Sequence, residues 1–408
     1  MSPTSAPTDP EYADRARAAG RRFLADVDDI LDTVRAGRDE SERQGKVAAP
    51  SVGAMERAGF FRALTPVQYG GLEMAPAPFF EGIMKVAACD SSAAWIGGQL
   101  NVHSWEIALM DKRAQDEFWA EGPDTRASSS YAPTGQFEET EGGYILNGTW
   151  AFSSGIDYAS WVIVGGGDRN FLIRRGDGEV DDNSWDVAGL KGTGSKAITL
   201  TDVFVPDYRT HILMDTYLDQ NPGWEVNGGP LYRLPFATIL AAVMANPAIG
   251  TALGGLEDYI GATKKRRARR GTGASVTENP HLLVRLSGAL ATAQTMKDRH
   301  LKNWETLFDI ACEGRDSTPV ERMKVRFEAA DSIEQVLDAI YSIWPVAGAA
   351  AIVSSNPLQQ VMRDMMAMRV HGSAGRDTAA TLYAQALLGL QGPSFEDNQT
   401  MGTLAYYR

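Results

Sequence analysis

Cysteine is nearly absent: 408 residues hold only Cys89 and Cys312. Both sit in helical-looking, apolar contexts, so no framework of bridges is possible and a reduced cytoplasm is the expected location. Long hydrophobic runs are lacking too. No stretch approaches the ~20 apolar residues of a membrane span. Met1 to Pro10 has no apolar leader segment. Positive charge is in deficit, with 39 Lys and Arg against 52 Asp and Glu, for a net charge of −13. Such a chain repels phosphate backbones and anionic lipid, which excludes nucleic acid and membrane as expected partners. No Gly-x-Gly-x-x-Gly opens a βαβ unit, and no Walker A string occurs. Gly165-Gly166-Gly167 and Gly192-x-Gly194 sit among strands and turns. A nicotinamide site is therefore not expected. His211, His281 and His300 have no companions at ligand spacing, so they read as structural or surface residues and no metal site is expected.

What is present suffices for a large core, with 44% hydrophobic residues, in a chain long enough for two or three packed units. An α+β organisation in three zones is expected. Residues 1–121 read as an N-terminal helical domain. Glu11 to Ala36 carries an apolar stripe through Phe23, Val27, Ile30, Leu31 and Val34. Short helices follow over Val52 to Ala58 and Pro78 to Ala88. Asp90-Ser91-Ser92 supplies an N-cap for a long helix over Ala93 to Met110. Residues 122–230 change texture. Short apolar runs alternate with Gly, Asp and Asn turns, which predicts a barrel-like middle domain of short antiparallel strands. Gly142-Gly143 and Asn147-Gly148 read as hairpin signals. Residues 231–408 are helical again. Phe236–Lys264, Pro280–Glu313, Val320–Ala347 and Leu358–His371 predict a C-terminal four-helix bundle.

That order resembles the acyl-CoA dehydrogenase superfamily. Gly143-Tyr144-Ile145-Leu146-Asn147-Gly148-Thr149-Trp150 is similar to the strand that leads to the flavin there. Gly189-Leu190-Lys191-Gly192-Thr193-Gly194-Ser195, followed by Asp202-Val203-Phe204-Val205-Pro206, is similar to its second β signature. Arg269-Arg270-Gly271 lies near the family's Arg-x-x-Phe-Gly turn but lacks the Phe. Asp90 to Trp95, Asn101-Val102-His103-Ser104-Trp105 and Trp150-Ala151-Phe152-Ser153-Ser154-Gly155 resemble the flavin-dependent hydroxylase branch, the group D flavin-dependent monooxygenases. That branch includes the oxygenase components of two-component p-hydroxyphenylacetate and secosteroid phenol hydroxylases. The dehydrogenases of one large group carry a Tyr-Glu-Gly base near the C-terminus. Here Gly389-Leu390-Gln391-Gly392-Pro393 offers no Glu.

The resemblance implies an enzyme that receives reduced flavin, FMN or FAD, from a separate NAD(P)H-dependent reductase. With O₂ it would form a C4a-hydroperoxide and hydroxylate a phenolic or polycyclic aromatic substrate. An acyl-CoA dehydrogenase or oxidase, and an N- or S-oxygenating member of the branch, are the alternatives. A homotetramer built on the C-terminal bundle is implied as well.

The resemblance and the residues together nominate the site. Ser154 falls where the superfamily places a hydroxyl on flavin N5; a turn serine is the plainer reading. Trp150, Phe152 and Ser153 flank it as flavin contacts, although a strand aromatic is often simply core. Ser128 and Tyr131, on the first strand of the middle zone, are further flavin contacts. Arg269 is the best candidate in the basic run Lys264 to Arg270 for the flavin phosphate or ring. Trp95, Gln99 and His103, spaced by four on one helix, form a substrate-facing stripe. His371, expected at a helix end with Asp377 capping the next helix, is a base or hydrogen-bond donor to the substrate hydroxyl.

Overall fold

The computed structural model describes residues 10–217, 220–264, 279–354 and 356–390. The chain opens with α1 (Pro10–Gln44), α2 (Ala49–Arg57), α3 (Pro76–Ala87), α4 (Ser91–Ile107) and α5 (Lys112–Phe118). Eight strands follow: β1 (Ala127–Ser130), β2 (Gln136–Thr140), β3 (Gly143–Ser153), β4 (Trp161–Gly166), β5 (Arg169–Arg174), β6 (Glu179–Asp181), β7 (Lys196–Pro206) and β8 (Thr210–Ile212). The short α6 (Leu213–Tyr217) precedes α7 (Phe236–Lys264), α8 (Pro280–Cys312), α9 (Pro319–Ala347), α10 (Pro357–Arg369) and α11 (Arg376–Leu387). The expected order of helices, strands and helices is present.

Helix α4 begins where the sequence placed its cap. The Asp90 carboxylate accepts from the backbone N–H groups of Ser92 (2.9 Å) and Ala93 (3.2 Å), satisfying two donors that an unfilled helix start would leave orphaned. Every residue of α4 is buried, so its polar side chains must find partners inside the protein.

The strands form two four-stranded sheets, ordered β1-β4-β5-β8 and β2-β3-β7-β6. Most pairs are antiparallel as expected, but β1 runs parallel to β4. A tight turn at Glu141-Gly142 joins β2 to β3. Asn147-Gly148, expected to turn a hairpin, lies instead within β3, where the register with β7 shifts between Leu146 and Gly148. Asn147 and Asp202 hold this irregularity reciprocally. The Asn147 amide donates to the Asp202 carboxylate at 3.1 Å, and the Asp202 N–H donates to Asn147 Oδ1 at 2.8 Å. A bulge signal and a turn signal share the same residue types.

Two cores result. A small one lies between the sheets, around Leu146, Trp150, Val164, Phe171 and Ile198. The larger one is continuous through both helical zones and includes Phe60, Phe79, Trp105, Met244, Trp304 and Met365. Helix α7 has 29 residues and a mean hydropathy of 1.6 in its most apolar stretch, enough to cross a membrane, contrary to the expectation that no stretch approaches that composition. Its surface is taken up by α3, α4, α8, α9 and α10. It is a central helix of the protein interior, and a helix apolar on all sides needs such a position.

Candidate active site

Strand β3 loses its register with β7 a second time between Trp150 and Ser153. There Phe152 adopts a left-handed φ of 67°, uncommon for an aromatic residue. This irregularity decides which way the side chains after Trp150 face. Trp150 points into the sheet core, fully buried, and its indole N–H donates to the Gly165 carbonyl at 2.7 Å. No face of Trp150 is left for a flavin, so the expected ring contact gives way to the core aromatic. Ser153 is sealed as well, as is Ser128 on β1. Phe152 is turned outward, 70% exposed, with its edge toward Trp185. Ser154 is half-buried and turned toward α4. Gly155 follows at φ 72°, and a Cβ there would sit 3.1 Å from Leu100 of α4. Glycine lets the strand end reach the helix.

The contact between strand end and helix is a hydrogen bond. Trp95 Nε1–H donates to Ser154 Oγ at 3.1 Å. Ser154 Oγ lies 2.8 Å from Ser195 Oγ, which lies 2.7 Å from Thr193 Oγ1. Thr193 donates to the Leu190 carbonyl at 2.9 Å. Ser195 and Thr193 belong to the glycine-rich loop singled out above, though their side chains were not expected at the site. That loop is fixed by α10. The Asp364 carboxylate accepts from Leu190 N–H at 2.7 Å and from Ser91 Oγ at 2.9 Å. Burial pushes its pKa up to about 7, although those two hydrogen bonds oppose the shift. Gly189 makes the approach possible, because a Cβ there would come within 2.1 Å of the Arg363 carbonyl.

His371 stands on the other side of Trp95. Their rings meet edge to face with centroids 5.5 Å apart. The expected helix over Leu358–His371 stops earlier, at Arg369, and His371 is extended at φ −65°, ψ 138°. It therefore caps the next turn rather than ending a helix, and Nδ1 accepts the Ser373 N–H at 3.2 Å. Gly375 is the cap of α11, with Asp377 inside its first turn. With Nδ1 occupied by a donor, the neutral ring carries its proton on Nε2. The residue is exposed to solvent, yet protein atoms crowd around its ring. Those surroundings disfavour the charged form and lower its pKa from 6.5 to about 4.

His103 lies two turns along α4 from Trp95, about 12 Å by helical rise. It belongs to a separate buried cluster. Glu106, one turn on, takes its Oε2 to within 3.4 Å of His103 Nδ1. Tyr131 donates its hydroxyl to the same carboxylate oxygen, and its oxygen lies 3.0 Å from His103 Nδ1. His211 Nε2 is 3.1 Å from the other oxygen, Oε1. Burial would raise the Glu106 carboxyl, but hydrogen bonds and charge from the two histidines outweigh it and hold the pKa at about 2. With Tyr131's proton spent on Glu106, His103 Nδ1 is the donor toward this pair of oxygens. His103 Nε2 is buried and has no hydrogen-bond partner among the described residues. Between the two groups on α4, Gln99 donates to Met244 Sδ of α7 at 3.4 Å.

The structure thus gathers Trp95, Ser154 and His371 and sets His103 and Tyr131 apart with Glu106 and His211. His211, read from sequence as structural or surface, is part of that cluster. Glu106 was legible as the i+3 neighbour of His103; nothing in the sequence pointed to His211. Arg269 and residues 391–393 lie outside the described residues. The residues present fit a flavin: an outward aromatic, Phe152, and a hydroxyl, Ser154, with an oxygen lone pair to spare, stand side by side on one strand end.

The acyl-CoA dehydrogenase C-terminal domain model matches residues 242–375. The oxygenase subunit HsaA of a flavin-dependent monooxygenase from Rhodococcus jostii (strain RHA1) is 32% identical over 373 residues, covering 89% of this chain and 97% of that protein. The oxygenase component of p-hydroxyphenylacetate 3-hydroxylase from Acinetobacter baumannii is 30% identical over 398 residues, covering 93% and 92%. The crystal structure of the HsaA monooxygenase from M. tuberculosis matches with a TM-score of 0.86 at 32% identity, covering 92% of this chain and 99% of that one. The fold is that of the acyl-CoA dehydrogenases. Within it, the chain belongs to the flavin-dependent monooxygenases, as the oxygenase component of a two-component system.

Proposed function

We propose that the enzyme hydroxylates a phenolic or polycyclic aromatic compound with reduced FMN, which a separate NAD(P)H-dependent flavin reductase supplies. The single observation that carries this reading is Trp95, which donates to Ser154 and packs its ring against His371. A residue suited to flavin N5 and a residue suited to a substrate hydroxyl thereby share one wall. The hydroxylase name of the Acinetobacter baumannii relative supports the phenolic class.

Reduced flavin, when bound, would supply the two electrons by which one atom of O₂ enters the aromatic ring and the other leaves as water. The chain's own residues do the rest. Ser154 accepts at the flavin edge, and Phe152 packs against it. His371, neutral near pH 7, offers its Nε2–H to the substrate oxygen. A hydrogen bond to that oxygen favours the phenolate, the more electron-rich ring. His103 Nε2, buried with no partner among the described residues, suits a hydrogen bond with a substrate hydroxyl. Trp95 and Gln99 complete the substrate wall on α4.

The enzyme would act as a cytoplasmic homotetramer. Large apolar side chains stand exposed on the C-terminal helices, among them Val284, Tyr341, Met366, Val370 and Leu388. So many exposed apolar side chains in one helical zone suit an interaction surface, which a second copy of the chain would cover.

The test is anaerobic loading with FMNH₂, then mixing with O₂ and a panel of phenols. Hydroxylated product with one oxygen atom from O₂ supports the reading. Bleaching of oxidised flavin by an acyl-CoA, with no phenol product, would sink it.

A further inference from the structure

We propose that Ser195 and Thr193 are positioning residues that fix the proton of Ser154, so that Ser154 can only accept a hydrogen bond from the flavin and the site selects the reduced cofactor. This rests on the placement of the flavin against Ser154 given above.

The geometry is a line of four hydrogen bonds with fixed ends. At one end stands the Leu190 carbonyl, which only accepts. At the other stands the Trp95 indole N–H, which only donates. Between them lie three hydroxyls, Thr193, Ser195 and Ser154, at 2.9, 2.7, 2.8 and 3.1 Å along the line. Each hydroxyl has one proton. Thr193 must give its own to Leu190. The bond between Thr193 and Ser195 is then made with the proton of Ser195. The bond between Ser195 and Ser154 is made with the proton of Ser154. Trp95 fills one lone pair of Ser154. A single arrangement makes all four bonds, and in it Ser154 retains one lone pair and no free proton.

Thr193 and Ser195 are almost wholly buried, so water does not compete for these protons. The Leu190 carbonyl is fixed in turn by Asp364 and by the approach of Gly189 to α10. The outward face of Ser154 is therefore an acceptor by construction. Reduced flavin carries a hydrogen on N5 and can donate to it. Oxidised flavin presents a lone pair at N5, which meets the Ser154 lone pair with repulsion. The hydroxyl line converts a serine that normally bonds either redox state into one that bonds only the reduced state.

The test is the ratio of affinities for FMN and FMNH₂, measured by anaerobic titration, together with the midpoint potential of the bound flavin. Ser195→Ala releases the Ser154 proton toward N5. The preference for FMNH₂ should fall by about tenfold, the size of one redirected hydrogen bond, and the potential should move negative. Thr193→Val should act in the same direction, and carries the test if Ser195→Ala does not fold. Thr193→Ser, which keeps the hydroxyl, should retain the wild-type ratio. In a Ser154→Ala background, Ser195→Ala should change nothing further. An unchanged ratio in folded Ser195→Ala or Thr193→Val protein overturns the proposal. So does a change that persists without the Ser154 hydroxyl. If the wild-type protein binds neither FMN nor FMNH₂, the placement of the flavin itself has failed, and the proposal falls with it.

Discussion

Trp95 and His371 meet edge to face at 5.5 Å, and the same indole donates to Ser154 at 3.1 Å. One side chain thus sets the separation between the group suited to the flavin and the group suited to the substrate. Trp95→Phe keeps an aromatic ring against His371 and deletes only the N–H. The expected result is flavin binding within a few-fold of wild type and a larger fraction of O₂ released as hydrogen peroxide. Trp95→Leu, which also removes the ring contact, should lower hydroxylation of bound substrate further. Peroxide yield per O₂ consumed, with and without substrate, measures both.

His371 should act as a donor. His371→Ala should slow hydroxylation by about tenfold or more, since a hydrogen bond to a charged oxygen contributes roughly 1.5–3 kcal/mol. His371→Gln, which supplies an amide N–H, should recover part of that rate. Because the pKa is lowered to about 4, the ring stays neutral across the working range. The hydroxylation rate should show no inflection from this group between pH 5.5 and 8. A step centred near 6.5, abolished in His371→Ala, contradicts the donor role.

Asp364 gives a stability prediction with a definite sign. Its carboxyl, ordinarily at 3.8, is raised to about 7 in the folded protein. Between those values the folded state holds a proton that the unfolded state has released. Its contribution to stability therefore falls as pH rises from about 4 through about 7, and is level above that. Asp364→Asn removes the ionisation. Between pH 5 and pH 8, wild type should lose roughly 2 kcal/mol relative to the variant, read from denaturant midpoints at each pH. A difference independent of pH would show that Asp364 is ionised throughout.

The Glu106 cluster predicts the opposite trend. Its carboxyl is lowered from 4.5 to about 2, so its stabilisation is complete above pH 4.5 and is lost as pH falls toward 2. Glu106→Ala leaves His103, His211 and the Tyr131 hydroxyl without their shared acceptor. A destabilisation of about 3–5 kcal/mol is expected, visible as a lower Tm, while Glu106→Gln should cost less.

The exposed apolar residues of the C-terminal helices predict an assembly defect. Val370→Glu combined with Leu388→Glu should shift the mass in solution to a smaller species. Light scattering after gel filtration reads the change. An unchanged mass means that these two residues are not part of a subunit contact.

Much of this was legible in the sequence where a local rule governs. Asp90 followed by two serines and an apolar run gave the start of α4, because a cap is a short-range hydrogen bond. The β texture of the middle zone was legible from its alternation, and the hydroxylase branch from the strings around His103 and Ser154. What escaped depends on partners distant in sequence. Trp150 had the residue type of a flavin contact, but its register with Ile198 of β7 points it into the core between the sheets. Asn147-Gly148 has turn chemistry whether it turns a hairpin or absorbs a register shift, and only Asp202 on the neighbouring strand decides. His211 gained its meaning from Glu106, 105 positions earlier. Thr193 and Ser195 were in plain view within a quoted motif, but their hydroxyls mattered only once the loop was laid beside Ser154.

The hold of Asp364 on Leu190 has a practical consequence for recombining this protein with its relatives. The loop that orients Ser154 and the helix that leads to His371 are fastened to each other across 174 positions by a bond of 2.7 Å, with Gly189 cut to the shape of the Arg363 backbone. A hybrid that takes residues 186–195 from one parent and α10 from another splits a matched pair. Crossovers that carry both segments from the same parent should preserve the site, even when everything between them is exchanged.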